Sequence, residues 1–181
     1  EVLPENDVFH DFQVHHDFED LGHRVMLLNA RRLDHVQLIL LGIRDITELK
    51  NAEEALIFQA THDPLTNVYN RRFLMDQLEI LFNSAKRHGL PFSLCLCDLD
   101  NFKNANDAYG HQVGDEILVR FAEIAREELR EENIIGRYGG DEFIILFPYT
   151  PANKAALGLQ RIQDRFEESV LELSTNEAAP L

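Results

Sequence analysis

The first part of the chain alternates between polar and apolar residues with the two-residue period of a β-strand. This alternation predicts one strand over residues 11–18 and two more over residues 23–33 and 35–43. The third is nearly continuous in apolar residues between Val36 and Leu41. The beginning of the chain is therefore predicted to form three consecutive strands.

Apolar residues three and four positions apart, the spacing of one helix face, mark four later segments. The first covers residues 46–62 and carries a 3-4-3-4 seam with a charged residue at one position: Ile46, Leu49, Glu53, Leu56 and Ala60. Such a seam is typical of a helix that pairs with a second copy, but an ordinary amphipathic helix packing on its own domain has the same spacing. The other segments predict helices that flank a sheet, over residues 73–82, 117–125 and 155–170.

A pair of glycines, Gly139 and Gly140, stands between two short apolar runs. This pattern predicts a β-hairpin whose tight turn needs a positive φ, which glycine adopts at low cost. Asp141 and Glu142 follow directly, so the turn would hold two carboxylates near its tip. Adjacent anions repel each other and gain nothing from a core, which means that they need water, a base or a cation.

A second acidic motif follows the apolar run at residues 92–97, which has the length of a buried strand. Strand alternation would place Asp98 and Asp100 on one face at its carboxyl end. With a carboxylate of the hairpin they would form a hard oxygen site suited to Mg²⁺ or Mn²⁺. The alternative is that these aspartates cap the following helix, as we expect Asp100 to do. That short helix should stop at Gly110, with a loop and a new helix starting near Gly114.

Three motifs occur in order along the chain. The first, D-P-L-T-N-V-Y-N-R-R, starts at Asp63; the second, D-x-D-x-F-K-x-x-N-D-x-Y-G-H-x-x-G-D-E, starts at Asp98; the third, R-Y-G-G-D-E-F, starts at Arg137. Together they resemble the GGDEF domain, the catalytic module of diguanylate cyclases. The resemblance implies an α/β (α+β) fold, the palm-like fold of nucleotidyl cyclases, with an antiparallel sheet flanked by helices. It also implies that two GTP molecules, one in each of two facing domains of a homodimer, condense to cyclic di-GMP and two pyrophosphates.

The resemblance also implies roles for individual residues. Asp98, the Leu99 carbonyl and Asp141 would hold the metal ions, Mg²⁺ or Mn²⁺, that clamp the phosphates. Glu142 matches a second acidic position that the activity needs. Asn106 and Asp115 match the guanine-reading pair. Apart from the resemblance, Lys103 and the backbone around Phe102 lie near a helix start, where we expect them to approach the phosphates.

The guanine-reading pair is also reasonable on chemical grounds. Guanine presents N1–H and N2–H₂ as adjacent donors, which a carboxylate such as Asp115 accepts bidentately, whereas adenine presents an acceptor at N1. Asn106 adds one donor and one acceptor. Position alone would instead suggest a helix C-cap for Asn106 and an N-terminal helix-dipole partner for Asp115.

The chain departs from the family pattern at three places. The family's product-inhibition site uses an R-x-x-D motif; here Arg130 is followed by Asn133 at the acidic position, so we expect this inhibitory site to be degenerate. Asn67 and Val68 replace the usual glycine and leucine, a change that we expect to be tolerated. The family's domain has one more strand and a final helix beyond the last helix predicted here. We therefore expect residues 63–181 to be incomplete at the C-terminus.

Before this domain, the three predicted strands and the D-I-T sequence from Asp45 to Thr47 resemble the C-terminal part of a PAS sensor domain. The resemblance implies a sensor over residues 1–45, a signalling-helix linker over residues 46–62 and the GGDEF domain over residues 63–181. Asp45 and Thr47 are expected to fix the start of the linker helix. This helix would pair two protomers and set how their half-sites meet.

Composition narrows the range of partners. The net charge of −15 argues against duplex nucleic acid and anionic membranes, so a triphosphate must be held by local groups.

Cys95 and Cys97 share one face of a predicted strand and are expected to be reduced thiols of a cytoplasmic protein. No apolar run has transmembrane length, so no membrane insertion is expected in this segment. Five histidines have irregular spacing and are expected to be exposed strand residues rather than a metal site: residues 10, 15, 16, 23 and 35.

These observations favour a sensor-regulated diguanylate cyclase. The main alternative is a catalytically inactive GTP-binding GGDEF module that controls a downstream cyclic di-GMP phosphodiesterase domain. The sequence beyond residue 181 would distinguish the two. A third hypothesis is a dimerising sensor fragment without activity. The retained acids argue against it, and the expected truncation argues for it.

Overall fold

The computed structural model of the chain describes residues 8–33, 35 and 38–176. The chain divides into two compact units, one up to residue 58 and one from residue 59 onward. Each unit contains its own antiparallel sheet. In the described part of the chain, no helix is long and apolar enough to cross a membrane.

The first unit is a three-stranded meander followed by a helix. Strands β1 (Val8–Phe18), β2 (Gly22–Leu33) and β3 (Leu38–Asp45) pair in the order β1-β2-β3, and helix α1 (Thr47–Thr61) begins just after β3. The three strands predicted from the alternation are confirmed, although β1 begins earlier and β3 later than the pattern indicated. Val36, which was assigned to the third strand, lies outside the described residues.

Apolar contacts and hydrogen bonds hold the start of α1 against β2. Ile46 is buried against Val25 and Leu27, and its N–H donates to the Val25 carbonyl at 2.9 Å. Asp45 Oδ1 accepts hydrogen bonds from the N–H and the hydroxyl of Thr47, at 2.9 and 2.6 Å. The Val25 N–H in turn donates to Thr47 Oγ1 at 2.9 Å. The expectation that Asp45 and Thr47 fix the start of this helix is confirmed.

The burial of Ile46 changes the predicted seam of α1. Ile46 precedes the helix and is only 6% exposed inside its own unit, so its assignment as the first seam position is wrong. Leu49 and Leu56, two later seam positions, are 63% and 66% exposed, so packing within the chain does not cover them. Pairing through α1 stays a prediction, as do the domain boundaries at residues 45 and 62.

The second unit is a three-stranded sheet with helices on both faces. Its strands pair antiparallel in the order β4-β6-β5. One face packs on α2 through Leu74, Ile144 and Leu146, and the other packs on α4 and α5 around Phe121 and Phe143. The predicted antiparallel sheet flanked by helices is confirmed. In chain order the elements are α2 (Arg71–His88), β4 (Ser93–Asp98), α3 (Phe102–Tyr109), α4 (His111–Glu128), β5 (Ile134–Gly139), β6 (Glu142–Phe147) and α5 (Ala152–Asn176).

Among the described strands, β4 lies at the edge of this sheet, so the prediction of a buried strand is wrong. Leu94 and Leu96 are 45% and 58% exposed, whereas Cys95 and Cys97 on the opposite face pack against the core. A continuous apolar run does not reveal which faces of a strand are covered. Here α2 packs on β5 and β6.

The two cysteines share one face and are free thiols, as predicted. Their Sγ atoms are 3.7 Å apart, and both side chains line a cavity of about 1040 Å³ bordered by β4, α3, α4 and α5. Burial, together with the neighbouring Cys95, raises the pKa of Cys97 to about 12. This thiol is therefore protonated at neutral pH and is a poor nucleophile.

The segment between α1 and α2 accommodates both replacements of the family pattern. Asn67 has a φ of +54°, a left-handed conformation that asparagine adopts more readily than most residues. Val68 is 3% exposed within the main core. The expectation that these two residues are tolerated stays a prediction.

The same segment crosses β5 so closely that position 136 has room only for glycine. A Cβ at Gly136 would lie 2.7 Å from the Tyr69 carbonyl oxygen and 3.0 Å from Leu74 Cδ1. The carbonyl is held in place because it accepts a 2.8 Å hydrogen bond from the Arg137 N–H, and the Tyr69 N–H donates to Ile135. Backbone held on both sides has little freedom to move away from a new methyl group.

We therefore expect Gly136→Ala to destabilise the second unit by about 1–3 kcal/mol through overpacking. Thermal unfolding followed by circular dichroism would measure this as a lower Tm. The matched control is Gly158→Ala in the middle of α5, where the nearest atom to a Cβ is Phe147 Cε1 at 3.6 Å. There alanine should leave the Tm unchanged or raise it, because alanine favours helix more than glycine does. Equal Tm values for the two variants would contradict the close approach.

Candidate active site

The acidic hairpin is formed by β5, β6 and the two residues between them. Gly139 pairs with Glu142, so Gly140 and Asp141 are the central residues of the turn. Gly140 has a φ of +56° and Asp141 does not have a positive φ, as in a type II′ turn. The register shifts at Tyr138, which is a bulge of the kind found next to functional sites. The predicted hairpin with its glycine turn is confirmed.

The carboxyl end of β4 lies beside this turn. Asp98 pairs directly with Glu142, and directly opposed residues of antiparallel strands project from the same face of the sheet. Asp141 precedes Glu142 in the turn, so three carboxylates gather at one end of the sheet. β4 ends at Asp98, so Asp100 lies outside the strand. The prediction that strand alternation places Asp98 and Asp100 on one face is therefore wrong.

The donor set at this end of the sheet fits a hard divalent cation. Asp98 and Asp141 supply carboxylate oxygens and Leu99 supplies a backbone carbonyl. Leu99 O already accepts the Phe102 N–H at 3.2 Å, but a carbonyl oxygen has a second lone pair. The described residues contain no group of three or more side chains able to hold a metal ion. Two carboxylates and a carbonyl are nevertheless the usual protein share for Mg²⁺, which completes its shell with waters and substrate phosphates.

Arg137 connects the tip of the hairpin to Asp63, which lies in the segment between α1 and α2. Its Nε donates to the Gly140 carbonyl at 2.9 Å, and its Nη1 lies 3.3 Å from Asp63 Oδ1. Asp63 Oδ1 also accepts hydrogen bonds from the N–H and hydroxyl of Thr66, at 2.9 and 2.8 Å. The backbone next to Asp141 is thus held by Arg137 of the same hairpin, and Arg137 is in turn held by Asp63 outside it. Sequence reasoning gave Arg137 no role, although it opens the R-Y-G-G-D-E-F motif.

Asp63 provides a pH-dependent test of this connection. Burial alone would raise the pKa of Asp63, but the hydrogen bonds from Thr66 and the Arg137 guanidinium outweigh it and hold the pKa below its usual value. A carboxylate with a lowered pKa in the folded state stabilises the fold above its unfolded pKa. That stabilisation is lost as the pH falls through the folded value.

We therefore expect Asp63→Asn to lower the Tm at pH 7, and the difference from the parent chain to shrink as the pH falls below about 4. Thermal unfolding between pH 7 and pH 2 would measure it. Asp164→Asn is a suitable control, because Asp164 is an exposed carboxylate on α5 hydrogen-bonded to Gln160. A Tm difference for Asp63→Asn that does not change with pH would contradict the ion pair.

The predicted guanine-reading residues meet where α3 and α4 join. Asn106 Oδ1 is buried without a hydrogen-bond partner and lies against Gly114, where a Cβ would collide with it. Asp115 is the next residue and is exposed. A buried carbonyl oxygen without a partner is costly, so Asn106 Oδ1 is a polar atom that the described part of the chain leaves unsatisfied.

The structure rules out the positional alternatives for this pair. Helix α3 ends at the C-cap Gly110, so Asn106 is not a C-cap. Helix α4 begins at His111 rather than near Gly114, and no loop separates the two helices. Asp115 is therefore the fifth residue of α4, beyond the first turn where a helix dipole acts most strongly. The predicted loop and helix start were wrong because Gly110 alone makes the connection.

The start of α3 also differs from the expectation. Its N-cap is Asn101, with a φ of +61° and no side-chain cap, so the prediction that Asp100 caps this helix is wrong. Phe102 is half-buried against the main core, and Lys103 is exposed on the first turn. The helix start thus presents an exposed lysine next to Phe102, whose N–H donates to the Leu99 carbonyl.

The predicted inhibitory residues lie at the other end of β5. Asn133 precedes the strand, and its N–H donates to the Arg130 carbonyl at 2.9 Å. The Arg130 side chain is 78% exposed and lies 3.7 Å from Glu132. The carboxylate that the family motif places at residue 133 is thus an amide here. Weak product inhibition through this site stays a prediction.

Comparison with known proteins identifies a family. Residues 60–179 match the family model for the diguanylate cyclase GGDEF domain. The diguanylate cyclase DosC of Escherichia coli is 34% identical over 180 residues, which cover 94% of this chain and 39% of DosC. The chain therefore spans well under two-thirds of the length of this curated relative.

Solved structures agree with the family match. The coiled coil and GGDEF domain of DgcB from Caulobacter crescentus, in complex with c-di-GMP, is 32% identical with a TM-score of 0.61. That match covers 65% of this chain and 61% of the DgcB chain. Diguanylate cyclase SiaD from Pseudomonas aeruginosa, in complex with its activator SiaC, is 38% identical with a TM-score of 0.58, over 65% of this chain and 45% of SiaD.

Proposed function

The chain belongs to the GGDEF family, and on this premise we propose that its second unit takes part in condensing two GTP molecules to cyclic di-GMP and two pyrophosphates. The observation that carries the proposal is the pairing of Asp98 with Glu142 beside the turn that holds Asp141. Carboxylates gathered at one end of a sheet repel each other, and a bound cation offsets that repulsion.

Asp98, Asp141 and the Leu99 carbonyl would hold Mg²⁺ or Mn²⁺ at this end of the sheet. When bound, the metal would neutralise phosphate charge and help to activate the 3′-hydroxyl of GTP. Arg137 keeps the turn in place through the Gly140 carbonyl, so that Asp141 is presented in one orientation. Glu142 supplies a further negative charge next to Asp98.

Asn106 and Asp115 would bind the guanine base. The carboxylate of Asp115 would accept from N1–H and N2–H₂, and the buried Asn106 Oδ1 would accept a donor that it lacks in the chain itself. Lys103 and the N-terminal turn of α3 would contact the phosphates between the base and the metal site. The net charge of −15 makes such local contacts necessary, because the overall field repels a triphosphate.

Regulation is proposed to come from the first unit and α1. The three strands and the D-I-T junction support a C-terminal portion of a PAS sensor, and α1 supports a linker that pairs two chains. Two protomers would then bring two GTP-loaded sites face to face, because each 3′-hydroxyl must reach the other nucleotide. Thr47, whose hydroxyl accepts the Val25 N–H, would couple the sheet to the start of the helix.

The decisive experiment incubates the purified chain with GTP and Mg²⁺, measures cyclic di-GMP by mass spectrometry and measures GTP binding in parallel by calorimetry. Product that requires Mg²⁺ would support the cyclase. GTP binding without product would favour the regulatory GTP-binding module instead. A folded chain that neither binds GTP nor forms product would overturn the proposal.

A further inference from the structure

Two histidines, eight positions apart in the sequence, meet on the β1–β2 hairpin. Asp17 pairs directly with His23, and His15 lies two residues earlier on β1, so all three side chains project from one face of the sheet. His15 Nδ1 lies 3.5 Å from His23 Nε2, and the two rings are tilted by 36°. His23 Nδ1 lies 2.8 Å from Asp17 Oδ1.

These distances match the requirements of a bound transition metal. Imidazole nitrogens lie about 2.0–2.1 Å from Zn²⁺, so two of them at a tetrahedral angle are roughly 3.3–3.4 Å apart. The observed separation of 3.5 Å needs almost no adjustment. Metal-ligating histidines characteristically donate their second ring N–H to a carboxylate, which fixes the tautomer and the ring orientation. Asp17 occupies that position relative to His23 and leaves Nε2 directed at His15.

We propose that His15 and His23 form a chelating pair for a divalent transition-metal ion that prefers imidazole, such as Zn²⁺, with Asp17 as the positioning residue. Imidazole suits Zn²⁺, Ni²⁺ and Cu²⁺, whereas Mg²⁺ and Ca²⁺ select oxygen ligands. Asp17 contacts His23 rather than the ion, so the protein supplies two ligands and water completes the shell.

The site is exposed and exchangeable rather than structural. The side chains of His23 and Asp17 are 55% and 85% exposed, so an ion enters and leaves without unfolding of the sheet. The pair is distinct from the carboxylate site in both location and ligand type, since it lies in the first unit and uses nitrogen.

An ion at this position would act close to the start of α1. His23 precedes Val25 by two residues on the same face of β2, and Val25 binds both Ile46 and Thr47 at the helix start. Chelation joins β1 to β2 and restricts the movement of the strand that holds this junction. The metal is thus placed to bias the segment from which the helix begins.

The test is a Zn²⁺ titration of the full chain by calorimetry in excess Mg²⁺, which occupies oxygen sites. We expect one saturable Zn²⁺ equivalent that His15→Ala and His23→Ala each weaken by at least about tenfold. Asp17→Asn should weaken it by roughly tenfold or more, as loss of an outer-shell carboxylate does elsewhere. His16→Ala is the matched control, because His16 lies on the opposite face against Phe18, and it should bind as the parent chain does.

The location is checked independently by histidine ring resonances. Zn²⁺ should shift the ring signals of His15 and His23 and leave that of His16 unchanged. No saturable binding, or equal binding by the His15→Ala and parent chains, would overturn the proposal and leave a hydrogen-bonded histidine pair. Far-UV circular dichroism of each variant excludes loss of binding through unfolding. None of these readouts requires GTP turnover, so the outcome is separate from that of the proposed cyclase activity.

Discussion

Replacement of Asp141 by asparagine is expected to lower the rate of cyclic di-GMP formation from GTP by at least about a hundredfold. Asparagine keeps the size of the side chain and removes its charge, so the turn between β5 and β6 can form while the metal site loses a ligand. Asp98→Asn should have an effect of the same order, because Asp98 lies at the carboxyl end of β4 beside the turn. The measurement is initial rate against Mg²⁺ concentration, with product quantified by mass spectrometry.

The dependence on Mg²⁺ distinguishes a metal ligand from a residue with another role. Loss of a ligand should raise the Mg²⁺ concentration needed for half-maximal rate, as well as lower the rate itself. Glu142→Gln would lower the rate without that shift if Glu142 acts on the substrate rather than on the metal. Asp164→Asn, on the exposed face of α5, should change neither quantity. A near-parental rate in either Asp98→Asn or Asp141→Asn would refute the metal assignment.

Local chemistry allowed the acidic hairpin to be predicted from the sequence. Two glycines between apolar runs specify a tight turn wherever they occur, because the requirement for a positive φ arises within the turn itself. Gly140 meets that requirement with a φ of +56°. The strands of the first unit and the flanking helices of the second could also be predicted locally. The spacing of apolar residues within one element indicates both its type and the face that it buries.

Features that depend on distant parts of the chain could not be obtained in this way. The apolar run of β4 predicted burial, but an edge position leaves Leu94 and Leu96 exposed. Arg137 binds Asp63 across 74 positions of sequence, so its role needed the fold. The histidines looked irregular along the chain, and only the register of β1 against β2 brings His15 to His23.

At the junction of α3 and α4, one feature was predicted correctly from the sequence and another was not. The pattern placed a stop at Gly110 correctly and then inserted a loop that the chain does not have. A direct connection lets Gly114 approach the Asn106 side chain, and this contact leaves Oδ1 buried without a partner. The residues of the guanine-binding hypothesis were named from motif resemblance. The close approach that brings them together depends on Gly114, whose role the motif alone did not explain.

Asp115→Asn is expected to weaken GTP binding by roughly tenfold to a hundredfold, because a hydrogen bond to a charged group contributes about 1.5–3 kcal/mol. An asparagine at this position offers one acceptor and one donor, so it no longer accepts both guanine donors. ATP binding, which does not use those hydrogen bonds, should change little. The ratio of GTP to ATP affinity should therefore fall by nearly the whole loss in GTP affinity.

Calorimetric titration with each nucleotide in Mg²⁺ measures that ratio directly. Glu116→Gln is the matched control, since Glu116 is the next residue on α4 and is also exposed. Its ratio should equal that of the parent chain, because residues adjacent on a helix point in different directions. Asn106→Ala should weaken GTP binding as well, but it should also relieve the buried unpaired oxygen and so leave the Tm unchanged or higher. A variant at Asp115 that weakens GTP and ATP equally would place this carboxylate away from the base, and selectivity would then have to come from another residue.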